Sequence, residues 1–146
     1  MRDHGYYSTL ALCAIKGIQE MEECSAASGI DPSLLELVKL RASQIMKCEH
    51  CTDLYLEGAG ARGEAIDQLA ILANWIGNDH FSEKEKTALA WAEAMVDFPL
   101  KTGLESIGER VRVFFSPNEL VAITVAVNMV ISWNNLSLTV RASSGK

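Results

Sequence analysis

The chain has 146 residues, enough for one domain with a substantial core, and 49% of them are hydrophobic. Thirteen basic residues against nineteen acidic ones give a net charge of −6, which argues against nucleic acid or an anionic membrane as the main partner. We therefore expect a single domain over residues 1–146.

The ends and the apolar stretches of the chain bear on its location. The first ten residues, MRDHGYYSTL, lack the basic start and the apolar run of a signal peptide. The longest apolar stretch, ELVAITVAVNMVISW, is shorter than the roughly 20 residues that span a membrane, which predicts a helix in the core or at a subunit interface. These features predict a cytoplasmic protein without a membrane partner. In that compartment thiols are kept reduced, and a close cysteine pair is typically catalytic or metal-binding.

The first half of the chain predicts three helices. The first is expected from about Ser8 to Ala27. The second starts at Asp31, a suitable N-cap, with Pro32 at the first helical position, where its missing N–H costs nothing. A third helix is expected to contain the close cysteine pair and to fade in the glycine-rich segment EGAGARG.

Four further helices are predicted in the second half. The segment EAIDQLAILANWIG should stop at Gly77. A capping box of Ser82 and Glu85 opens the next helix, LESIGERVRVFF is a shorter one, and Ser116 with Pro117 opens a long last one. Strand signals are short and flanked by helical sequence, so we predict an all-α fold, a compact multi-helix bundle. Several helices are apolar over wide arcs, which favours self-association through these faces.

The segment MKCEHCTDLY, residues 46–55, places two thiols and an imidazole within four positions. Cys48, His50 and Cys51 could form a redox pair, half of a metal site or ordinary helix positions. A zinc site needs about four ligands, and the chain offers no second C-x-x-C motif, so zinc is disfavoured. A thioredoxin-like domain is disfavoured too, because βαβ units are lacking. Cys13 and Cys24 are expected to be inert core or interface residues.

The place where a helix begins decides the chemistry of these thiols. If Cys48 lies in an opening turn, the unpaired N–H groups there, with Lys47 or an imidazolium, would lower a thiol pKa from about 8.5 towards neutrality. Glu36, twelve positions earlier, could then return over the pair from an adjacent helix and accept a proton. On one unbroken helix over 33–57 it would lie off the thiol face, and it would then be a solvated helix residue.

Three blocks of sequence resemble one protein family. ELVKLRASQIMKCEHCTDLY, EKTALAWAEAM and FFSPNELVAITVAVNMVISWNNLSLTVR are together similar to the carboxymuconolactone decarboxylase-like superfamily, and more closely to its alkylhydroperoxidase D-like branch. The resemblance covers nearly the whole chain from about Asp31. It implies an all-α fold that assembles as a homotrimer or homohexamer.

Four residues match the functional pattern of this branch, and other positions depart from it. The matching residues are Glu36, Cys48, His50 and Cys51. Tyr55 stands where the branch carries a histidine, and Met-Lys precedes the first cysteine where Asn-Gly is frequent. A tyrosine cannot accept a proton at neutral pH as an imidazole can, but it can donate a hydrogen bond to a thiolate. Alternatively, it only packs beside the pair.

The resemblance implies a thiol peroxidase of antioxidant defence that needs no cofactor and no metal. Cys51 is then the peroxidatic residue that attacks a small hydroperoxide, and Cys48 is the resolving residue that closes a disulfide. Glu36 and His50 relay the proton, and an external dithiol of the lipoyl or thioredoxin type restores the thiols.

Two alternatives stay open. One is a small-lactone decarboxylase or isomerase that uses Glu36 and His50 as acid and base, although the true decarboxylases of the superfamily lack the cysteine pair. The other is a non-enzymatic redox sensor.

Overall fold

The structure is a computed structural model, and it describes residues 9–48, 52–53, 62–97 and 104–144. These residues are mostly helical and contain no β-strand, so the predicted all-α fold class is confirmed. Six long helices lie within the described ranges: α1 (Thr9–Ala26), α2 (Pro32–Ile45), α3 (Arg62–Ala73), α4 (Glu83–Val96), α5 (Leu104–Phe114) and α6 (Pro117–Ser144).

Local capping signals set the starts of three of these helices. Asp31 caps α2 through its side chain, which accepts a hydrogen bond from a backbone N–H of the first turn at 2.9 Å. Ser82 and Glu85 form the predicted reciprocal capping box of α4. Ser116 and Glu119 exchange the same two hydrogen bonds at the start of α6. Each of these caps satisfies N–H groups that have no partner within the helix.

Two glycines with a left-handed backbone mark the turns after α1 and α3. Gly29 has a φ of 84° and Gly77 a φ of 71°, a region that residues with a Cβ adopt only at a cost. Helix α3 ends at Ala73, four residues before the Gly77 stop that the sequence predicts. The intervening turn brings Trp75 into the core, where it is 7% exposed.

Two hydrophobic clusters form the core, and both are built on α2 and α4. The larger one lies between α2, α4, α5 and α6, where Val38, Ala88 and Ile123 have no exposed surface. The smaller one lies where α2 and α4 meet α3 and the turn after it, and it includes Trp75 and Leu89. Full burial of each large side chain contributes about 1.5–3 kcal/mol.

The longest helix, α6, contributes to the core over its N-terminal half. Residues 117–143 are long and apolar enough to cross a membrane by length and composition alone, a test that core helices of soluble proteins also pass. Ile123 and Val127 are completely buried, and the Ala122 carbonyl accepts a hydrogen bond of 3.1 Å from the buried Ser25 hydroxyl of α1. Helix α6 thus packs against α1, α2 and α4.

Some large apolar side chains stay exposed on the surface of the single chain. Leu10, Ile76 and Val113 are each more than three-quarters exposed. A partner would be needed to cover them, so assembly through apolar faces as a homotrimer or homohexamer stays a prediction.

Candidate functional site

Helix α2 ends just ahead of Cys48 in a Schellman motif. The N–H of Cys48 donates to the Ser43 carbonyl and the N–H of Lys47 donates to the Gln44 carbonyl, each at 3.1 Å. Lys47 has a φ of 52°, the left-handed conformation that this motif requires and that glycine adopts most readily. The chain therefore breaks before Cys48, and residues 33–57 are not one continuous helix.

Cys48 is hydrogen-bonded to a residue beyond the end of α2. The N–H of Thr52 donates to the Cys48 carbonyl at 3.0 Å, and Thr52 and Asp53 are helical. Cys48 itself is 6% exposed and disulfide-bonded.

Three predicted site residues cannot be placed beside Cys48. His50, Cys51 and Tyr55 lie outside the described residues, so their roles stay predictions. Within the described part of the chain, no group of three or more His, Cys, Asp and Glu residues could hold a metal ion.

Glu36 lies near the start of α2, at the opposite end of that helix from Cys48. Its carboxylate is 2.9 Å from the ammonium of Lys39, which is also 3.6 Å from a carboxylate oxygen of Glu22. Ile45 lies nine positions after Glu36, so the helix rise between their backbones is roughly 13.5 Å. A proton path from Glu36 to Cys48 therefore needs an intervening group.

The Glu36 side chain instead lines a cavity of about 130 Å³ between α1, α2 and α6. Its walls are mainly apolar, with a rim of two carboxylates and one ammonium. The lining residues are Glu22, Ser25, Ala26, Pro32, Leu35, Glu36, Lys39, Ala126 and Met129.

A polar network that the sequence analysis missed joins the last turn of α2 to three other parts of the fold. One oxygen of Glu93 on α4 accepts hydrogen bonds from Arg41 Nε at 2.9 Å and from Trp75 Nε1 at 2.8 Å, and it lies 2.8 Å from Arg41 Nη2 in an ion pair. Arg41 Nη1 also donates to the Gln44 side chain at 3.1 Å, and Gln44 Nε2 donates to the Leu69 carbonyl of α3 at 2.8 Å. This set of residues is referred to below as the α2 clamp.

The α2 clamp is half-buried, and its sequence signal is weak. The side chains of Arg41 and Glu93 are 18% and 31% exposed. Glu93 follows the fully buried Leu89 by four positions, so it lies on a helix stripe that faces the core. A charged residue on such a stripe indicates a buried partner, but the partner, Arg41, lies 52 residues away and no local pattern identifies it.

Cys13 and Cys24 differ from Cys48 in both burial and bonding. Cys13 and Cys24 on α1 are exposed free thiols. The expectation of a core position for them is wrong, because the helix turns both away from the packed face of α1, which buries Ile15 and Ile18 instead. A position at a subunit interface stays a prediction.

Sequence and structure comparisons are consistent with one family. A model of the carboxymuconolactone decarboxylase family matches residues 16–94, which contain α2 and Cys48. The uncharacterized protein YdfG of Bacillus subtilis is 30% identical over 140 residues, which cover 94% of this chain and 95% of YdfG. The uncharacterized protein YnjA of Escherichia coli is 29% identical over 102 residues, which cover 70% of this chain and 56% of YnjA.

A solved structure has the same fold. It is a protein of unknown function from Agrobacterium tumefaciens that is described as a candidate antioxidant defence protein AhpD. It superposes with a TM-score of 0.74 at 27% identity, and the match covers 88% of each chain.

Proposed function

The chain belongs to the carboxymuconolactone decarboxylase family, in its alkylhydroperoxidase D-like branch, and on that premise we propose that it is a thiol peroxidase. Its proposed substrate is a small hydroperoxide, which it reduces through Cys48 and Cys51. The observation that carries the proposal is the state of Cys48. It is buried, disulfide-bonded and located directly after the Schellman motif that ends α2.

The proposed reaction starts from the dithiol. The Cys51 thiolate attacks the O–O bond, an S–O bond forms, and the alcohol or water leaves after taking up one proton. Cys51 is then a sulfenic acid. The Cys48 thiolate attacks that sulfur, the S–S bond forms, the S–O bond breaks, and the departing hydroxyl takes up one proton and leaves as water.

An external dithiol completes the proposed cycle by thiol–disulfide exchange. It attacks one sulfur of the pair, and its second thiol releases the mixed disulfide, so two electrons and two protons return to the protein. Because Cys48 is only 6% exposed, we propose that the attack falls on the Cys51 sulfur.

Proton transfer is proposed to involve Glu36, His50 and Tyr55. Glu36 is paired with Lys39 at the far end of α2, so it would act on the thiols through an intervening residue or water. We propose that Tyr55 takes the place of the branch's histidine as a hydrogen-bond donor, and that His50 is the proton acceptor near the pair.

The test is peroxide-dependent oxidation of an added dithiol by the full chain and by Cys51→Ser. We expect the substitution to abolish turnover, and we expect mass spectrometry of the 46–55 peptide to show an internal disulfide in the oxidised wild type only. The matched control is the Cys13→Ser, Cys24→Ser double variant, because these thiols are exposed and free and their loss should leave turnover unchanged. Turnover by Cys51→Ser at the wild-type rate would refute the proposal.

One observation favours a second candidate. Glu36 lines a cavity of about 130 Å³ at the other end of α2 from Cys48, and a family that contains decarboxylases could use such a carboxylate as a base. A small-lactone decarboxylase or isomerase with Glu36 and His50 would retain its activity after alkylation of every cysteine, whereas the peroxidase would lose it.

A further inference from the structure

We propose that Glu93 is a positioning residue for Cys48. Through Arg41 and Gln44 it holds the last turn of α2 in place, and so it stabilises the disulfide of Cys48 relative to the dithiol. The inference rests on the proposed redox role of Cys48, but it concerns an equilibrium that can be measured without peroxide.

Side-chain hydrogen bonds and the backbone of residues 43–44 together connect Glu93 to Cys48. Glu93 holds the Arg41 guanidinium at 2.8 and 2.9 Å, and Arg41 holds the Gln44 side chain at 3.1 Å. The carbonyls of Ser43 and Gln44 then accept the Schellman hydrogen bonds, and the one from the Cys48 N–H is 3.1 Å. The side chains of the α2 clamp therefore act on the same turn whose backbone fixes Cys48.

The α2 clamp is anchored on several sides of that turn. Trp75 donates to the same Glu93 oxygen as Arg41, so Glu93 is itself held from the turn after α3. Gln44 donates to the Leu69 carbonyl of α3. The last turn of α2 thus has directional contacts to α3 and α4, in addition to the apolar packing of neighbouring residues.

The chemistry of the α2 clamp points to positioning more than to stability. Removing an ionised carboxylate and a guanidinium from water is costly, and well-packed apolar residues often stabilise a fold as well or better. The ion pair of Arg41 and Glu93 instead contributes geometric specificity, because the planar guanidinium fixes the orientation of its partners. Here three nitrogen atoms of Arg41 and Trp75 lie within 2.9 Å of one oxygen of Glu93, an arrangement that tolerates little displacement of Arg41.

Positioning of Cys48 affects the disulfide through effective concentration. When the backbone at Cys48 is held, its sulfur samples fewer positions away from the partner sulfur, and ring closure costs less entropy. Loss of the carboxylate should release the α2 end and lower the equilibrium constant for disulfide formation. We expect a decrease of about tenfold for Glu93→Ala, which corresponds to a midpoint potential about 30 mV less negative.

The experiment is a glutathione redox titration of the full chain, in the Cys13→Ser, Cys24→Ser background so that only the remaining pair titrates. We expect Glu93→Gln to shift the equilibrium less than Glu93→Ala, because glutamine keeps an acceptor for Trp75 while losing the charge that holds Arg41. The matched control is Trp91→Phe, on the same helix as Glu93 but outside the α2 clamp, which removes a hydrogen bond of 2.9 Å from Trp91 Nε1 to Thr124 on α6. It should lower the melting temperature and leave the equilibrium constant unchanged.

The results separate a positioning role from a structural one. The inference is overturned if Glu93→Ala lowers the melting temperature but leaves the equilibrium constant for disulfide formation within twofold of the parent value. It is also overturned if Trp91→Phe changes that equilibrium constant as much as Glu93→Ala does. Should Glu93→Ala not fold, Trp75→Phe removes one donor to Glu93 and keeps an apolar ring. This variant should lower the equilibrium constant for disulfide formation by a smaller factor than Glu93→Ala. An unchanged equilibrium constant would overturn the inference. A wild type that titrates but does not reduce peroxide refutes the proposed function alone.

Discussion

The strongest local prediction concerns Lys47, because its backbone is strained. Lys47 has a φ of 52° and occupies the left-handed position of the Schellman motif. A residue with a Cβ is destabilised there, whereas glycine adopts this conformation freely. The substitution Lys47→Gly keeps both backbone hydrogen bonds and removes the strain, so it should stabilise the protein.

The magnitude follows from two opposing contributions. Relief of the left-handed strain stabilises the folded state by about 1–2 kcal/mol. The greater freedom of glycine in the unfolded chain destabilises by about 0.4–1 kcal/mol. The net gain should be about 0.5–1 kcal/mol, which is roughly 1–4 °C in melting temperature for a domain of this size.

The assay is thermal and urea unfolding of the reduced protein, so that the disulfide does not contribute. The matched control is Lys16→Gly, the same substitution at an exposed position inside α1. There the backbone is helical, and glycine should destabilise by about 0.5–1 kcal/mol. The two variants should therefore shift stability in opposite directions. If Lys47→Gly destabilises the protein as much as Lys16→Gly does, the described end of α2 is incorrect.

Three further predictions address the core, the cap of α6 and the site. Leu89→Ala, at a completely buried position, should lower the free energy of unfolding by about 2–5 kcal/mol in urea titrations, and a smaller loss would contradict the described packing. Hydrogen bonds from the Ser116 backbone and side chain lower the pKa of Glu119, so their stabilisation is present above the ordinary carboxyl pKa and is lost as the pH falls through the lowered value. The stability difference between wild type and Glu119→Gln should therefore shrink on acidification, and a constant difference would refute this reasoning. Tyr55→His should raise the rate of peroxide reduction near pH 7 several-fold, as measured by dithiol consumption, because an imidazole can accept a proton there.

Local sequence signals predicted the helices well because each one acts within a few residues. Asp31, Ser82 and Ser116 cap helices through contacts no more than three positions away. The break before Cys48 could not be settled in this way. Its left-handed residue is Lys47, whereas the sequence signal for such a position is glycine or asparagine, so the sequence left two possibilities open.

Contacts between residues far apart in the chain could not be predicted from the sequence, for a physical reason. The contact between Arg41 and Glu93 depends on how α2 and α4 pack, and no periodicity within either helix encodes it. The position of Glu36 relative to Cys48 could not be predicted for the same reason. Its spacing from the cysteine matches the branch's pattern, but the helical rise of α2 places it in a cavity with Lys39, away from the end of the helix.

The strained turn and the α2 clamp should be energetically coupled, because both act on the last turn of α2. In the wild type, the clamp holds a turn whose left-handed Lys47 opposes the native conformation. Lys47→Gly removes that opposition, so the turn should depend less on Glu93. In a double-mutant cycle, we expect Lys47→Gly to restore part of the disulfide stability that Glu93→Ala removes, and the two effects on the equilibrium constant should not multiply independently. The cycle is measured by the same glutathione titration. Independent effects, within twofold, would mean that the clamp and the Schellman turn fix Cys48 separately.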